Sequence, residues 1–487
     1  PNISHHIGDR LLKDRCFECH IDSPGGSKNF RSQGCAACHF TYAKDGLYRG
    51  NDPTISLTEP GHPKRHAMTT LTPDATCKQC HRGFQATQEN IETQKNSTDG
   101  ITSKSLASSF PGFGKIRQDV HLEAGLECID CHTQFDIMGD GNIYSKQHQA
   151  VEIRCETCHG DADSRPLIAQ LKDPLDRVIR LARSYKGWNN SVGDWMVLSS
   201  RQRKLTNVKA KEGMIVTLGK RNGNIYPTPL TADSTQSHNI PEHKNKLECT
   251  SCHSQWVPNC KGCHSTFMPG KSETSKSWAP DASQMFNVES PSLMLGPRGK
   301  VAPMIASERR LFNAFDEQGK PIHVMRDNGD AIGVYREWSF TNSHGYSEGH
   351  LAYAMNPHST GKKVRSCASC HMSPLALGLG EGDFDIGSNS SGKDDKFLPL
   401  VRTDLTSGRS QLAPEARLTL RGEPIAGVSQ PGARPFNQKE INRILKVGNC
   451  LPCHDNNEGS IYQNIQKSYL FEKTLAHRNL RKLILNQ

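Results

Sequence analysis

The cysteines and histidines of this sequence follow one repeated pattern, Cys-x-x-Cys-His. Residues 249–264 contain two such units with six residues between them. The unit occurs nine times and uses all 18 cysteines of the chain. Its two thiols are spaced to add to the two vinyl groups of one haem, and its histidine then lies beneath the iron as the proximal ligand. The sequence therefore predicts nine covalently attached haem c groups.

Each motif supplies two thioether-forming cysteines and one proximal histidine. The predicted cysteines are Cys16, Cys19, Cys35, Cys38, Cys77, Cys80, Cys128, Cys131, Cys155, Cys158, Cys249, Cys252, Cys260, Cys263, Cys367, Cys370, Cys450 and Cys453. The predicted proximal histidines are His20, His39, His81, His132, His159, His253, His264, His371 and His454. Zinc ribbons also use Cys-x-x-Cys pairs, but they do not place a histidine after every second cysteine. A redox dithiol needs only one motif, and a disulfide framework would not keep every cysteine in this frame.

The function of each haem depends on the second axial ligand of its iron. The chain has 22 histidines, so many remain after each motif has used one. The predicted distal ligands are His5, His6, His62, His66, His121, His148, His238, His243, His344, His350 and His358, with one from each of the first two pairs completing a set of nine. A lone histidine more often serves a surface or hydrogen-bonding role. The 11 methionines leave His/Met ligation open for some haems. An iron with histidine on both faces transfers electrons and binds no substrate.

The composition is poor in residues that build a hydrophobic core. Only 34% of the 487 residues are hydrophobic and 6% are aromatic. Nine haems would add one large apolar plate for roughly every 54 residues. We therefore predict a mostly irregular, loop-rich fold, with short α-helices wrapped around a haem chain, a haem-dominated core and two small β-rich inserts.

The motif spacing suggests seven regions along the chain. These are a three-haem region (1–85), a two-haem region (86–159), a haem-free β-rich insert (160–235), a close haem pair (236–270), a second β-rich insert (271–342), the eighth-haem region (343–377), and a linker with a helical ninth-haem region (378–487). In the first insert, the segments beginning at Trp195, Leu205 and Met214 have strand character, and Lys211-Glu-Gly forms a turn between the last two. Helices are predicted at about 439–446 and 461–485.

The net charge also has to be considered with the cofactors. The formal charge is +10, but the propionates of nine haems would bring the total to about +1 when oxidised and about −8 when reduced. The excess of lysine and arginine therefore predicts propionate compensation and argues against a nucleic-acid partner. The sequence contains no run of 18 apolar residues, so we expect no transmembrane segment. Because thioether attachment occurs outside the cytoplasm, we expect an exported protein, extracellular or periplasmic, and Pro1 suggests a mature product.

The segment between the fourth and fifth motifs has a second pattern. Residues 136–142, Asp-Ile-Met-Gly-Asp-Gly-Asn, have the acidic and glycine spacing of a calcium loop. The same residues also favour a plain turn, which we prefer. A bound calcium ion is the alternative.

The nine motifs, the close pair at 249–264 and the additional histidines resemble the large multihaem cytochromes of extracellular and periplasmic respiration. That group includes outer-surface cytochromes that polymerise into conductive filaments. The resemblance covers the haem segments but not the two β-rich inserts. It implies bis-histidine ligation, closely spaced haems in a continuous chain and one-electron transfer, with other redox proteins or extracellular acceptors as partners.

These observations predict an electron conduit and leave one enzymatic alternative. Multihaem enzymes that reduce nitrite commonly mark the active haem with Cys-x-x-Cys-Lys, and the sequence has no such motif. Relatives that oxidise hydroxylamine keep the ordinary motif and open one haem face, so an oxidoreductase of nitrogen or sulfur compounds stays an alternative. We also expect the sixth and seventh haems to be neighbours, and the chain to form a homo-oligomer or filament in which His5 or His6 ligates a haem of the next copy or of its own chain.

Overall fold

A computed structural model describes two units of the chain. Unit 1 comprises residues 1–85 and 121–234, and unit 2 comprises residues 86–120 and 235–487. The residues described are 35–40, 47–59, 69–78, 119–144, 147–233, 236–260, 264–267, 286–289, 292–308, 311–314, 323–325, 331–334, 340–341, 347–348, 350–380, 382–385, 396–399, 401–403, 410–412, 417–418, 422–424, 427–428, 430–454 and 460–485. The finer division into seven regions stays a prediction.

Unit 1 combines short helices with one antiparallel sheet. Its helices are α1 (Ala36–His39), α2 (Asp74–Lys78), α3 (Val120–Glu123), α4 (Cys128–Cys131), α5 (Gln134–Met138), α6 (Cys155–His159) and α7 (Arg177–Ala182), with 3-10 turns at Gln147–Gln149 and Thr231–Asp233. Its strands are β1 (Ile168–Gln170), β2 (Trp195–Leu198), β3 (Lys204–Lys211), β4 (Met214–Leu218) and β5 (Ile225–Thr228). Helix α3 begins at Val120, the last residue of the 86–120 segment of unit 2.

The five strands of unit 1 pair in chain order as an antiparallel meander. The predicted turn after Lys211 is confirmed: Glu212 and Gly213 have φ angles of 53° and 81°, the left-handed backbone that a two-residue hairpin loop needs. Leu205, Val208 and Ile215 are buried on the sheet, and Cys158 of the fifth motif packs against the same cluster. The sheet therefore supports a haem motif directly.

Unit 2 is built mainly from strands. They are β6 (Val257–Cys260), β7 (His264–Phe267), β8 (Phe286–Glu289), β9 (Ser292–Leu295), β10 (Val301–Glu308), β11 (Leu311–Ala314), β12 (His323–Met325), β13 (Ala331–Val334), β14 (Phe340–Thr341), β15 (Ser347–Glu348), β16 (His350–Ala354), β17 (Gly382–Asp385), β18 (Lys396–Pro399), β19 (Val401–Thr403), β20 (Ser410–Leu412) and β21 (Gly427–Val428). Six of them form a mixed sheet in the order β21-β16-β10-β6-β8, with β9 also paired to β10.

The helices of unit 2 carry two motifs and the C-terminal region. They are α8 (Cys249–His253), α9 (Ala368–His371), α10 (Gln438–Gly448), α11 (Ser460–Gln463), α12 (Ile465–Glu472) and α13 (Leu475–Leu485), with 3-10 turns at Gln236–Asn239 and Leu375–Leu377. Helix α10 has a complete capping box between Asn437 and Glu440, which explains where it begins. Helices fall in both of the C-terminal segments where the sequence predicts them.

The predicted fold class is wrong. We expected an irregular wrapping around haems with two minor β inserts, but the described residues form a five-stranded sheet, a six-stranded sheet and five two-stranded sheets, and they contain aliphatic clusters of their own. Leu171, Met196 and Leu218 are completely buried in unit 1, and Leu293, Leu377 and Leu418 share a buried cluster in unit 2. The average hydrophobic content of the chain is low, but its apolar side chains are concentrated on the buried faces of the strands. The average therefore could not reveal these cores. Among the described helices, none is long and apolar enough to cross a membrane.

Candidate haem-binding sites

The described motifs fold mainly as single helical turns. Helices α6 and α8 each cover a complete motif, from the first cysteine to the histidine. In this conformation the cysteines are three residues apart and the histidine is four residues from the first, so the three side chains project from one side of the turn. All 13 cysteines whose side chains are described are free thiols. The described motifs therefore present the two thiols and the imidazole that attachment of one haem requires.

The proximal histidines are oriented by hydrogen bonds from Nδ1. Nδ1 lies 2.6 Å from the Thr69 carbonyl in His39, 2.7 Å from the Pro229 carbonyl in His159, 3.4 Å from the Gly361 carbonyl in His253 and 2.8 Å from the Ile444 carbonyl in His371. A carbonyl oxygen can only accept, so Nδ1 carries the proton and Nε2 keeps its lone pair for a metal. This arrangement is typical of metal-binding histidine.

The fourth motif uses a carboxylate in place of the carbonyl. His132 Nδ1 lies 3.2 Å from Asp136 Oδ2, and the Asp136 side chain is 1% exposed. The hydrogen bond to Asp136 raises the pKa of His132. In the sequence Asp136 belongs to the possible calcium loop, and its contact with His132 was not predicted. The four-residue separation of His132 and Asp136 was the signal that could have revealed it, even though the two residues lie on either side of the break between α4 and α5.

Three predicted distal histidines lie opposite a proximal histidine. The ring centroids are 6.0 Å apart in His121–His159, 6.0 Å apart in His238–His253 and 5.8 Å apart in His243–His371. Two imidazoles bound through nitrogen to one iron would have centroids about 6 Å apart, since each iron–nitrogen bond is about 2 Å and each ring centre lies about 1 Å further out. The three pairs therefore have the separation that bis-histidine ligation requires.

Burial favours the neutral form of three imidazoles in the pairs of unit 2. Burial, followed by the charge of His371, lowers the pKa of His243 to about 4. Burial also lowers the pKa of His371, and burial followed by His253 lowers that of His238. A neutral imidazole is the form that binds a metal.

In unit 1 the helices of successive motifs are in contact. Helix α1 contacts α2, and α2 contacts α4. Asp74 Oδ1 accepts a hydrogen bond of 2.8 Å from the Cys128 amide, and the pKa of Cys77 is lowered to about 7 by a hydrogen bond from the Cys128 thiol. Burial and then the neighbouring Cys131 raise the pKa of Cys158 to about 12. The second to fifth motifs therefore form one run of neighbours.

In unit 2 the sixth motif adjoins the eighth. The pKa of Cys252 is raised to about 12 by burial and then by Cys370. Buried Arg365 connects the two turns: its amide donates to the Cys252 carbonyl at 2.9 Å, and its guanidinium donates to the Ser369 carbonyl at 3.1 Å. Helix α9 also contacts α10, which leads into the ninth motif. The close relation of the sixth and seventh haems stays a prediction.

The remaining predicted ligands divide by what the structure describes. His5, His6, Cys16, Cys19, His20, His62, His66, Cys80, His81, Cys263 and His344 lie outside the described residues. For Cys260, His264 and His350 the backbone alone is described, in β6, β7 and β16. His148 lies in the 3-10 turn Gln147–Gln149, and His358 is exposed with a φ angle of 53°. The ligand roles of all these residues stay predictions.

The structure does not support the calcium alternative. Asp140 Oδ2 lies 2.9 Å from Arg201 and 3.1 Å from Arg203, and Tyr144 donates to the same oxygen at 2.9 Å. Two guanidinium groups at this carboxylate would repel a cation. Within the residues described, no three His, Cys, Asp or Glu side chains surround a common metal position.

A family comparison agrees with this geometry over part of the chain. Residues 76–160, which contain the third, fourth and fifth motifs, match the family model described as cytochrome c554 and c-prime. The match supports a c-type cytochrome, a class that binds haem covalently and transfers electrons. No curated protein and no solved structure matches the chain.

Proposed function

We propose that this protein is a nine-haem c-type cytochrome that conducts several electrons through closely spaced haems. The observation that carries the proposal is the shared orientation of five motif histidines, His39, His132, His159, His253 and His371, each with Nδ1 directed at an acceptor. Free histidines have no reason to share this orientation, whereas iron ligands need it to present Nε2. Haem, when bound, supplies reversible one-electron chemistry.

Bis-histidine ligation is the second part of the proposal. His121, His238 and His243 would bind the distal faces at the fifth, sixth and eighth motifs, and the ring separations of 5.8–6.0 Å from the proximal histidines support this assignment. The ligands come from outside the motif in each case, so each would clamp two chain segments together. Saturated irons would exclude substrates and keep the coordination unchanged between redox states.

The packing of the motifs supports conduction. The second to fifth motifs adjoin one another in unit 1, and the sixth, eighth and ninth adjoin in unit 2. Covalent attachment fixes each haem to its motif, so neighbouring motifs imply neighbouring haems. A protein with this arrangement would serve as a conduit in extracellular or periplasmic respiration, with other redox proteins or extracellular acceptors as partners.

Two measurements test the proposal. Intact mass should show nine haems per chain, and low-temperature EPR of the oxidised protein should show low-spin ferric iron throughout. A mass corresponding to fewer haems would reject the count. A high-spin signal approaching one iron in nine would reject a purely conducting role and favour an oxidoreductase with one open haem.

Assembly into a filament is a further element of the proposal. His5 and His6 precede the first motif by about ten residues in the sequence, and we propose that one of them binds a haem of a neighbouring copy. A metal bond across a subunit boundary would fix the register of successive copies. Electron microscopy should show filaments that shorten when both histidines are replaced by alanine. Monodisperse particles at every concentration would reject the filament.

A further inference from the structure

We propose that Asp136 gives the haem of the fourth motif the most negative reduction potential among the five motifs whose histidine orientation is known. The inference rests on the proposed function, because it requires a haem at Cys128 and Cys131. It concerns Asp136 as a positioning residue that acts on the iron through His132.

The local fold explains why Asp136 meets His132. Helix α4 ends at Cys131, and α5 begins at Gln134, with Thr133 as its N-cap residue. Asp136 is on the first turn of α5, four residues after His132, and its carboxylate reaches back to the ring at 3.2 Å. Since the carboxylate is almost completely buried, water cannot replace it as the acceptor.

A carboxylate acts on the iron differently from a carbonyl. It draws the Nδ1 proton more strongly, which makes Nε2 a better electron donor to the metal. It also places a formal negative charge close to the haem in surroundings of low polarity. Both effects favour the ferric state over the ferrous state, so the reduction potential falls. The other four oriented motif histidines, which face neutral backbone carbonyls, lack both effects.

The neighbouring charges modify this effect without cancelling it. Glu152 and Asp140 are each held by arginine side chains, so their charges are compensated. Asp130 is buried within the motif and accepts the amides of Glu127 and Lys220, both at 2.8 Å. The Lys220 ammonium donates to the Ile129 carbonyl and offsets one of the two remaining carboxylates. One buried negative charge is therefore left beside the fourth motif, in addition to the partly buried Asp74 carboxylate at the Cys128 amide.

The test compares Asp136→Asn, which has nearly the same shape, with the wild type in a spectroelectrochemical titration of the full chain. We expect one haem in nine to become easier to reduce by at least tenfold in its redox equilibrium, which is about 59 mV for one electron. Asp136→Ser should shift the same haem in the same direction. Asp136→Glu, which restores the carboxylate, should return the potential towards the wild-type value.

Glu123→Gln is the matched control, because Glu123 is an exposed carboxylate in the same unit. It removes the same charge and should leave the titration unchanged, since exposed charges are screened. A shift as large as that of Asp136→Asn would contradict a role of the hydrogen bond. A wild-type titration for both Asp136→Asn and Asp136→Ser would overturn the inference.

Peptide mass mapping separates this inference from the proposed function. If the peptide containing residues 128–132 carries no haem in the wild type, the proposed function fails at this motif. If that peptide carries haem and neither neutral variant shifts a potential, the inference about Asp136 fails while the proposed function stands.

Discussion

The described residues of the two units bury charged side chains of opposite net sign. In unit 1 the buried charged side chains around the motifs include Asp130, Asp136 and Glu152, with Lys220 as a partial counterion. In unit 2 the buried charged side chains, among the described residues, are Arg365, Arg417 and Asp119, and Asp119 accepts a hydrogen bond from the Thr360 amide. A buried negative charge stabilises ferric haem, and a buried positive charge stabilises ferrous haem. Haems on similar motifs would therefore have different reduction potentials, set by the buried charged side chains near each motif.

The units also differ in how the motifs are fixed. In unit 1, carboxylates and backbone amides hold α4, and one aliphatic cluster of the sheet reaches the fifth motif through Cys158. In unit 2, Cys370 packs against the Leu377 cluster, and Cys367 and Cys450 pack against a second cluster around Tyr469. Because the two units bury opposite net charges, we expect the haems of unit 2 to be easier to reduce on average than those of unit 1.

The largest expected effect is the loss of an axial ligand in unit 2. His243→Gly removes the ring opposite His371 and should convert the haem of the eighth motif from low spin to high spin. EPR should show one iron in nine with a new high-spin signal, while the intact mass keeps all its haems. His477→Ala is the control, because His477 packs against Phe471 on the C-terminal helices and is not a predicted ligand. An unchanged spectrum for His243→Gly would contradict the His243–His371 pairing.

The second expected effect concerns stability within each unit. Leu218 is completely buried in unit 1, and Leu418 is 1% exposed in unit 2. Replacing either with alanine should cost about 2–5 kcal/mol of unfolding free energy, since a cavity remains where the side chain was. Thermal unfolding followed by limited proteolysis should show that each variant exposes its own unit first. Exposed Leu175→Ala should cost little, and equal losses for all three variants would contradict the assigned cores.

Part of this organisation could be predicted from the sequence because the signals are local. Residues in one helical turn make the motif, and Glu212-Gly213 makes the hairpin, so both were visible in short windows. The pairing of β21 with β16, and of β6 with β10, joins strands that are far apart in sequence. The hydrophobic pattern of a short stretch of sequence does not indicate which distant strand pairs with it.

The histidine pairs show the same limit of prediction from local sequence. His121 lies seven residues before the fourth motif in the sequence, but the structure places it opposite His159 of the fifth. His243 precedes the sixth motif, but it pairs with His371 of the eighth. Proximity in the chain predicted these histidines as ligands but did not predict which motif histidine each one lies near, because the fold decides which segments meet.

The third expected effect is a change in haem reduction potential when a buried cation of unit 2 is removed. Arg365→Met removes the buried cation between the sixth and eighth motifs and should lower the potential of both haems. A charge about 10 Å from the iron at an effective dielectric constant of about 20 is worth about 1–2 kcal/mol. Spectroelectrochemistry should show a downward shift, opposite in sign to that of Asp136→Asn. Lys362→Met, which removes an exposed cation in the same segment, is the control, and an upward shift for Arg365→Met would contradict the proposed polarity.

The smallest expected effect is a pH dependence of the stability that the Arg434–Glu440 pair contributes at the start of α10. This helix contacts the eighth motif and leads into the ninth. Arg434 donates to both carboxylate oxygens of Glu440 at 2.7 and 2.8 Å, and these bonds lower the pKa of Glu440. The folded-state pKa lies below the unfolded value, so the carboxylate stabilises the fold above about pH 4.3. That stability is lost as the pH falls through the folded-state pKa.

Glu440→Gln tests this dependence directly. The variant should lose up to about 1 kcal/mol at neutral pH, because glutamine can still complete the capping box but cannot form the ion pair with Arg434. The two proteins should converge in thermal stability as the pH is lowered from about 5 to about 3, because protonation removes the same charge from the wild type. Glu472→Gln should show a smaller difference, since Glu472 lies 3.9 Å from Arg481. A stability difference between wild type and Glu440→Gln that stays constant over this range would show that the ionised carboxylate of Glu440 does not stabilise α10.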